Sequence, residues 1–258
     1  ITFGSQLRLK EFAQRYDIGP KKAFQLIEEI EKEVVKKQSK LDVFDKIMKN
    51  LGFPEETNSC HKTLDNTRSD MRIITNMWKF IQETLGLFEE FKLTNWPNIN
   101  GPAMDEKCGQ SLTKKLTTVR KEANSYGTII ECINKEINLW KKLIPLISSM
   151  KSDCIKDRHW DEIKSIINKK DLKIDKNLNI KLFYDLNIHL NNEEIGEITE
   201  KAANEEKMQK KIEEVKKNWL GIEFGERPYA RNEAVKLLDM NEDQNAILED
   251  NMQHIQTM

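Results

Sequence analysis

Four cysteines, six prolines and ten glycines among 258 residues leave this sequence short of the residues that crosslink, kink and loosen a chain. Cys60, Cys108, Cys132 and Cys154 lie 48, 24 and 22 residues apart. That spacing gives neither the C-x-x-C of a zinc site nor the density of a secreted disulfide scaffold, so they are read as free thiols in a reducing compartment. Charge of one sign is also missing. Lys and Arg number 42 against 43 Asp and Glu, a net charge of −1, so no basic field draws the chain to nucleic acid. No run of about 18 apolar residues is present to span a membrane, and the first 30 residues lack the basic-then-apolar order of a signal peptide. A soluble, intracellular chain is expected. It begins at Ile1 rather than Met and ends inside a helical pattern, so an excised piece of something larger is expected too.

Catalytic signatures are missing as well. No glycine opens a G-x-x-x-x-G-K-[ST] or G-x-G-x-x-G loop, so no backbone nest for a nucleotide is expected. His61, His159, His189 and His254 are widely spaced, with no H-E-x-x-H and no carboxylate at ligand spacing. Cys154 and His159 make the only nucleophile-like pair. They stand five residues apart, a spacing that points two helical side chains in different directions, and no third activating group is implied. Hydrogen-bonding roles are the plainer reading of each His.

What the sequence has is charge at 33% of residues and long apolar stripes, a combination that suits helices with solvated outer faces. After Gly19-Pro20, the positions Ala23, Ile27, Ile30, Val34, Lys37, Leu41, Phe44, Met48 and Leu51 step by four and three with one polar violation. Gly52-Phe53-Pro54 then predicts a break and a polar loop through Cys60 and His61. A second stripe runs Met71, Ile74, Trp78, Ile81, Leu85, Phe88 and stops near Asn95-Trp96-Pro97. The third holds its spacing from Leu112 to Ile147, 36 residues or about 54 Å as one straight helix. Gly127 and Pro145 interrupt it, and a bend or break is expected at one of them. Trp78, Phe88, Tyr126 and Trp140 on these seams are bulky for a two-stranded coiled coil and favour a multi-helix core.

Past Met150 the pattern restarts. An amphipathic stretch from Cys154 to Ile167 precedes a Lys-, Asp- and Asn-rich loop and a brief helix near Lys181 to Leu186. A helix through Ile195, Ile198, Ala202, Glu205, Met208, Ile212, Val215 and Trp219 carries glutamates at its start and lysines at its end, the order the helix dipole favours. Alternation then shifts to period two. Leu220, Ile222 and Phe224, a turn-like Glu226-Arg227-Pro228-Tyr229, then Val235 and Leu237 predict one β-hairpin near residues 219–238. A helix from Glu242 to Met258 ends the sequence.

One block means more as sequence than as chemistry. Ile144-Pro145-Leu146-Ile147, then Ile155-Lys156-Asp157-Arg158-His159-Trp160-Asp161-Glu162-Ile163, resembles the linker of dynein heavy chains. Leu186-Asn187-Ile188, Ala202-Ala203, Glu205-Glu206, Trp219, Glu223-Phe224 and Pro228-Tyr229 are similar to the family's next stretch in the same order. Leu248-Glu249-Asp250-Asn251 and Gln256-Thr257-Met258 look more like axonemal than cytoplasmic dyneins.

The resemblance implies a mainly α protein, an elongated rod of antiparallel helical bundles with one small hairpin, divided into subdomains 1–150 and 151–258. It implies a part of a microtubule motor that bends and straightens over the AAA+ ring of the same heavy chain, in the cytoplasmic cytoskeleton and the axoneme of a cilium or flagellum. On this reading the segment is not an enzyme and holds no cofactor; ATP and magnesium belong to the parent ring, and other subunits and microtubules are reached through the parent chain. No nucleic acid or membrane partner is expected, and the isolated piece should be a monomer. Arg158, His159, Trp160, Trp219 and Phe224 are the structural or interaction candidates: Trp160 as a core anchor, and Arg158 paired with Asp157 or Asp161 at the surface for less than about 1 kcal/mol. Compliance is expected at the loop Thr94 to Lys107 and at the junction Met150 to Lys156. A spectrin-like or coiled-coil scaffold for protein binding is the alternative.

Overall fold

Gly19, at φ +71°, and Pro20 start the first helix, α1 (Gly19–Asn50), where the missing proline N–H has no intrahelical partner to lose. The structure is a computed structural model and describes residues 16–123, 126–169, 172 and 178–256, apart from the side chains of Glu233 and His254. Ala23, Ile27, Ile30, Val34 and Leu41 of the predicted stripe are buried. Its outer third is not: Phe44 and Leu51 are exposed, because periodicity shows that a helix is amphipathic without supplying a partner for its apolar face. Gly52, at φ +83°, ends α1 with the Phe53 N–H bonded to the Met48 carbonyl at 2.9 Å, the six-residue closure of a glycine-capped helix.

The predicted loop through Cys60 and His61 is absent. Pro54–Thr57 makes one tight turn, and helix α2 (Asn58–Leu93) already includes both residues. His61 reaches back to Asp45 of α1 at 2.7 Å, which ties the first turn of α2 to its neighbour. Met71, Ile74, Trp78, Ile81 and Phe88 are buried along α2 as the stripe requires. Thr67 and Thr84 return their hydroxyls to the carbonyls of Thr63 and Phe80, so neither leaves a polar atom unsatisfied in the core.

The stretch from Thr94 to Lys107, expected as a compliant loop, is folded. A turn at Trp96–Asn98 leads to α3 (Gly101–Asp105), a wide π-helical stretch Glu106–Leu112, and α4 (Thr113–Glu122). The Trp96 N–H donates to Leu178 at 2.6 Å and the Ile180 N–H to Thr94 at 3.2 Å, so distant backbone pins the segment. Gly101 is required here: a Cβ would lie 2.3 Å from the Ser148 Oγ of the crossing helix.

That helix is α5 (Gly127–Met150), and the long third stripe breaks between Glu122 and Gly127, not at Pro145. Proline inside a helix costs about 3 kcal/mol. Leu143, Ile144, Leu146 and Ile147 around it are all buried, and burying four such side chains at about 1.5–3 kcal/mol each outweighs the loss. Trp140, fully buried, stacks on Phe88 at 5.3 Å and on Tyr184 at 5.4 Å, with Phe91 edge-on at 5.6 Å. Tyr184 arrives on α7 (Ile180–Asp185).

Two compact units result, and neither is continuous in sequence. The first comprises Ile1–Ser149 with Leu172–Asn192; the second comprises Met150–Asp171 with Glu193–Met258. The second unit holds α6 (Asp157–Ile166), most of α8 (Asn192–Leu220), a two-stranded antiparallel sheet and α9 (Glu242–Gln256). Much of the Lys-, Asp- and Asn-rich loop and the final Thr257-Met258 lie outside the described residues.

The hairpin exists, but its first strand is displaced from the expected position. β1 is Gly225–Tyr229, the segment that reads as a turn, and β2 is Asn232–Asp239; the turn is Ala230-Arg231. Both strands of a two-stranded sheet are edges, so Pro228 pairs with Lys236 without breaking an interior ladder. Leu220, Ile222 and Phe224 precede the strand.

Candidate functional site

The Arg158-His159-Trp160 block forms the first turn of α6 and meets α8 within the second unit. His159 is completely buried. Its Nδ1 accepts the Lys156 N–H at 3.1 Å while the Lys156 carbonyl accepts the His159 N–H at 2.9 Å, a reciprocal cap that fixes where α6 begins. With Nδ1 an acceptor, the neutral ring carries its proton on Nε2, which donates to Glu205 Oε2 at 3.1 Å. Arg158 pairs with the same carboxylate oxygen, so one glutamate on α8 holds two consecutive residues of α6. Partial burial works against charge on Glu205. The Arg158 guanidinium and the His159 ring outweigh it and hold the carboxyl below the usual range.

Further links run parallel to this one. Lys156 donates to Gln209 at 2.7 Å and Lys201 meets Glu162 at 3.7 Å, so α6 is fastened to α8 at four points along its length. Trp160 and Ile163 are buried, as are Ile195, Ile198 and Ala202 on α8. The surface pairing of Arg158 with Asp157 or Asp161 does not occur; its partner is Glu205, 47 residues away. Trp219 and Phe224 are brought to each other: their rings stack at 5.9 Å where α8 leads toward β1. The structure therefore brings Arg158 and His159 together on Glu205, buries Trp160 beside them in the first turn of α6, and pairs Trp219 with Phe224 at the end of α8. Glu205 itself is the residue that the candidate set lacks. Its signal is visible in retrospect: it is a carboxylate standing at an apolar stripe position.

Cys154 donates to Ser152 at 3.1 Å and not to His159. Among the described residues no three His, Cys, Asp or Glu side chains gather as a metal site, and no helix is long and apolar enough to cross a membrane. In the first unit Tyr184 donates to Glu136 at 3.1 Å, and burial followed by the Glu136 charge pushes its phenol up to about 12, which leaves it protonated at neutral pH. Burial also lifts the Cys108 thiol to about 11, whereas Cys60 is exposed. Alkylation of the native chain with iodoacetamide at pH 8, followed by peptide mass mapping, should modify Cys60 first and leave Cys108 intact; equal labelling would contradict the buried position of α3 and the following π-helical stretch.

Residues 64–258 match the profile of the family described as Dynein heavy chain, N-terminal region 2. The chain is 24% identical to the ciliary dynein beta chain of Heliocidaris crassispina over 213 residues, 83% of this chain and 5% of that one. It is 26% identical to human dynein axonemal heavy chain 9 over 200 residues, 77% and 4% of the two chains. With the flagellar outer-arm dynein alpha chain of Chlamydomonas reinhardtii the identity is 22% over 263 residues, 100% of this chain and 6% of the other. The chain thus spans about a twentieth of the length of these relatives. With well over half of its residues matched to that profile, the chain belongs to the dynein heavy-chain family, in the N-terminal region 2 of such chains.

Proposed function

We propose that this segment is part of the linker of an axonemal dynein, a mechanical element that transmits ATP-driven rearrangement of an AAA+ ring on the same heavy chain into movement along microtubules of a cilium or flagellum. The observation that carries the reading is the match of residues 64–258 to the heavy-chain N-terminal region. Two features of the chain support it. Each unit is stiffened by long helices, with α2 running for 36 residues and α8 for 29. The chain passes between the units at Met150, returns at Leu172 and crosses again at the first turn of α8, and we assign the bending to the first and last of these crossings. ATP and magnesium are handled elsewhere in the parent chain; this segment orients and transmits.

Uncoupling is the expected result of loosening the α6–α8 fastening. In the parent heavy chain, Arg158→Ala should slow microtubule gliding severalfold while ATP hydrolysis continues, because the exposed arginine stiffens the second unit without contacting nucleotide. Hydrolysis of ATP by the isolated 258-residue chain, or gliding unchanged by the substitution, would overturn the proposal.

A further inference from the structure

Two hydroxyl residues follow a pair of lysines at the same spacing, Thr117 after Lys114-Lys115 and Ser39 after Lys36-Lys37. Both are exposed, and both hydroxyls turn back to their own helix: Thr117 donates to the Thr113 carbonyl at 2.9 Å and Ser39 to the Val35 carbonyl at 3.1 Å. Their settings differ. α4, which holds Thr117, has ten residues and lies between the π-helical stretch Glu106–Leu112 and a turn in which the Ala123 N–H donates to the Val119 carbonyl. Of those ten, all described, Leu116 alone is buried. Ser39 stands inside the 32-residue α1, with Val34 buried before it and Leu41 buried after it. A short helix with one buried side chain opens at lower cost than the middle of a long one, because fewer apolar contacts and backbone hydrogen bonds are lost together.

The geometry points to Thr117 as a phosphorylation site for a serine/threonine kinase that reads basic residues at the third and second positions before the acceptor. The Thr117 Oγ1 attacks the γ-phosphorus of a nucleoside triphosphate, the bond to the β-phosphate oxygen breaks, the nucleoside diphosphate leaves, and the hydroxyl proton passes to the base of the kinase. A kinase cleft takes an extended chain, so the rate follows the population of opened helix as well as the lysine pair. Charge on the re-formed helix favours the same residue. Lys114 stands one turn before Thr117, and Arg120 and Lys121 one turn after it; all three are exposed and make no ion pair among the described residues, whereas Lys115 holds Glu83 of α2 at 3.0 Å. Glu122, five residues on, lies off that face. The three cations can close on a phosphate of about −2 charge, so α4 is retained after modification. Ser39 has Lys36 one turn before it but Asp42 one turn after it, a carboxylate that repels the phosphate.

A purified kinase of that specificity, with ATP and magnesium, tests it on the 258-residue chain and on two peptides of about 12 residues, each carrying one of the motifs. Phosphopeptide mass spectrometry gives the rate at each position. Both peptides should be modified. In the folded chain Ser39 should be slowed relative to its peptide at least about tenfold more than Thr117 is slowed relative to its own, the ratio expected from unequal helix opening. Lys114→Ala, at an exposed position, should slow Thr117 about tenfold and leave both Ser39 and the circular dichroism unchanged. The proposal fails if Thr117 stays unmodified in the folded chain, if the phosphate appears on Thr118 in its place, or if Ser39 is slowed no more than Thr117. It fails equally if either peptide is refused or if Lys114→Ala is modified as fast as wild type.

Discussion

Replacing Trp140 with Ala should cost the first unit about 3–5 kcal/mol, the range for removing a large aromatic from a packed core, and lower its melting temperature by roughly 10 °C. Three rings lose their common partner at once: Phe88 and Tyr184 stack on Trp140, and Phe91 meets it edge-on. Tyr184 belongs to α7, which rejoins the first unit after the excursion of residues 150–171. The substitution should therefore also loosen the 178–192 segment, and hydrogen exchange there should rise together with that in α2. Calorimetry of the Trp140→Phe variant should show a smaller loss. A Trp140→Ala chain that melts within about 1 kcal/mol of wild type would mean that α7 does not close this core.

The second large effect belongs to His159. Its replacement by Ala removes a buried ring, strips the Lys156 N–H of its acceptor and takes one of two donors from Glu205, and should destabilise the second unit by about 2–4 kcal/mol. A pH dependence accompanies it. The folded carboxyl of Glu205 titrates below its unfolded value of about 4.3, so its charge stabilises the unit at all pH values above that and the contribution is lost as the pH falls through the lower folded value. Glu205→Gln should therefore lower stability at pH 7 and flatten the acid limb of the melting profile below about pH 5. An acid limb identical in the two chains would show that another carboxylate carries the loss.

Much of this architecture is legible in the sequence because it is local. The α2, α5 and α8 stripes can be read from side chains three and four residues apart, and the break before Gly127 follows from a glycine that interrupts an otherwise strong pattern. What sequence spacing does not carry is long-range. Glu205 reaches Arg158 across 47 residues and Trp96 pairs with Leu178 across 82, and no periodicity encodes either contact. Pro228 and Gly225 misdirect the eye toward a turn because both are rare inside sheets; a two-stranded hairpin, being all edge, tolerates them. Phe44 and Leu51 show the opposite limit, since an apolar step pattern with a single polar violation marks a face and not its occupant. The scaffold alternative rests on that same pattern and is not favoured once residues 64–258 match the heavy-chain region.

The central claim, that the segment moves as a two-part mechanical element, is tested most directly by energy transfer within the parent heavy chain. A donor at position 60, exposed at the start of α2 in the first unit, and an acceptor at position 231, exposed in the hairpin turn of the second, report on motion between the units. Two distinct transfer efficiencies, exchanging with the nucleotide state of the ring, are the predicted result. One efficiency, the same in every nucleotide state while the motor moves microtubules, would contradict the account.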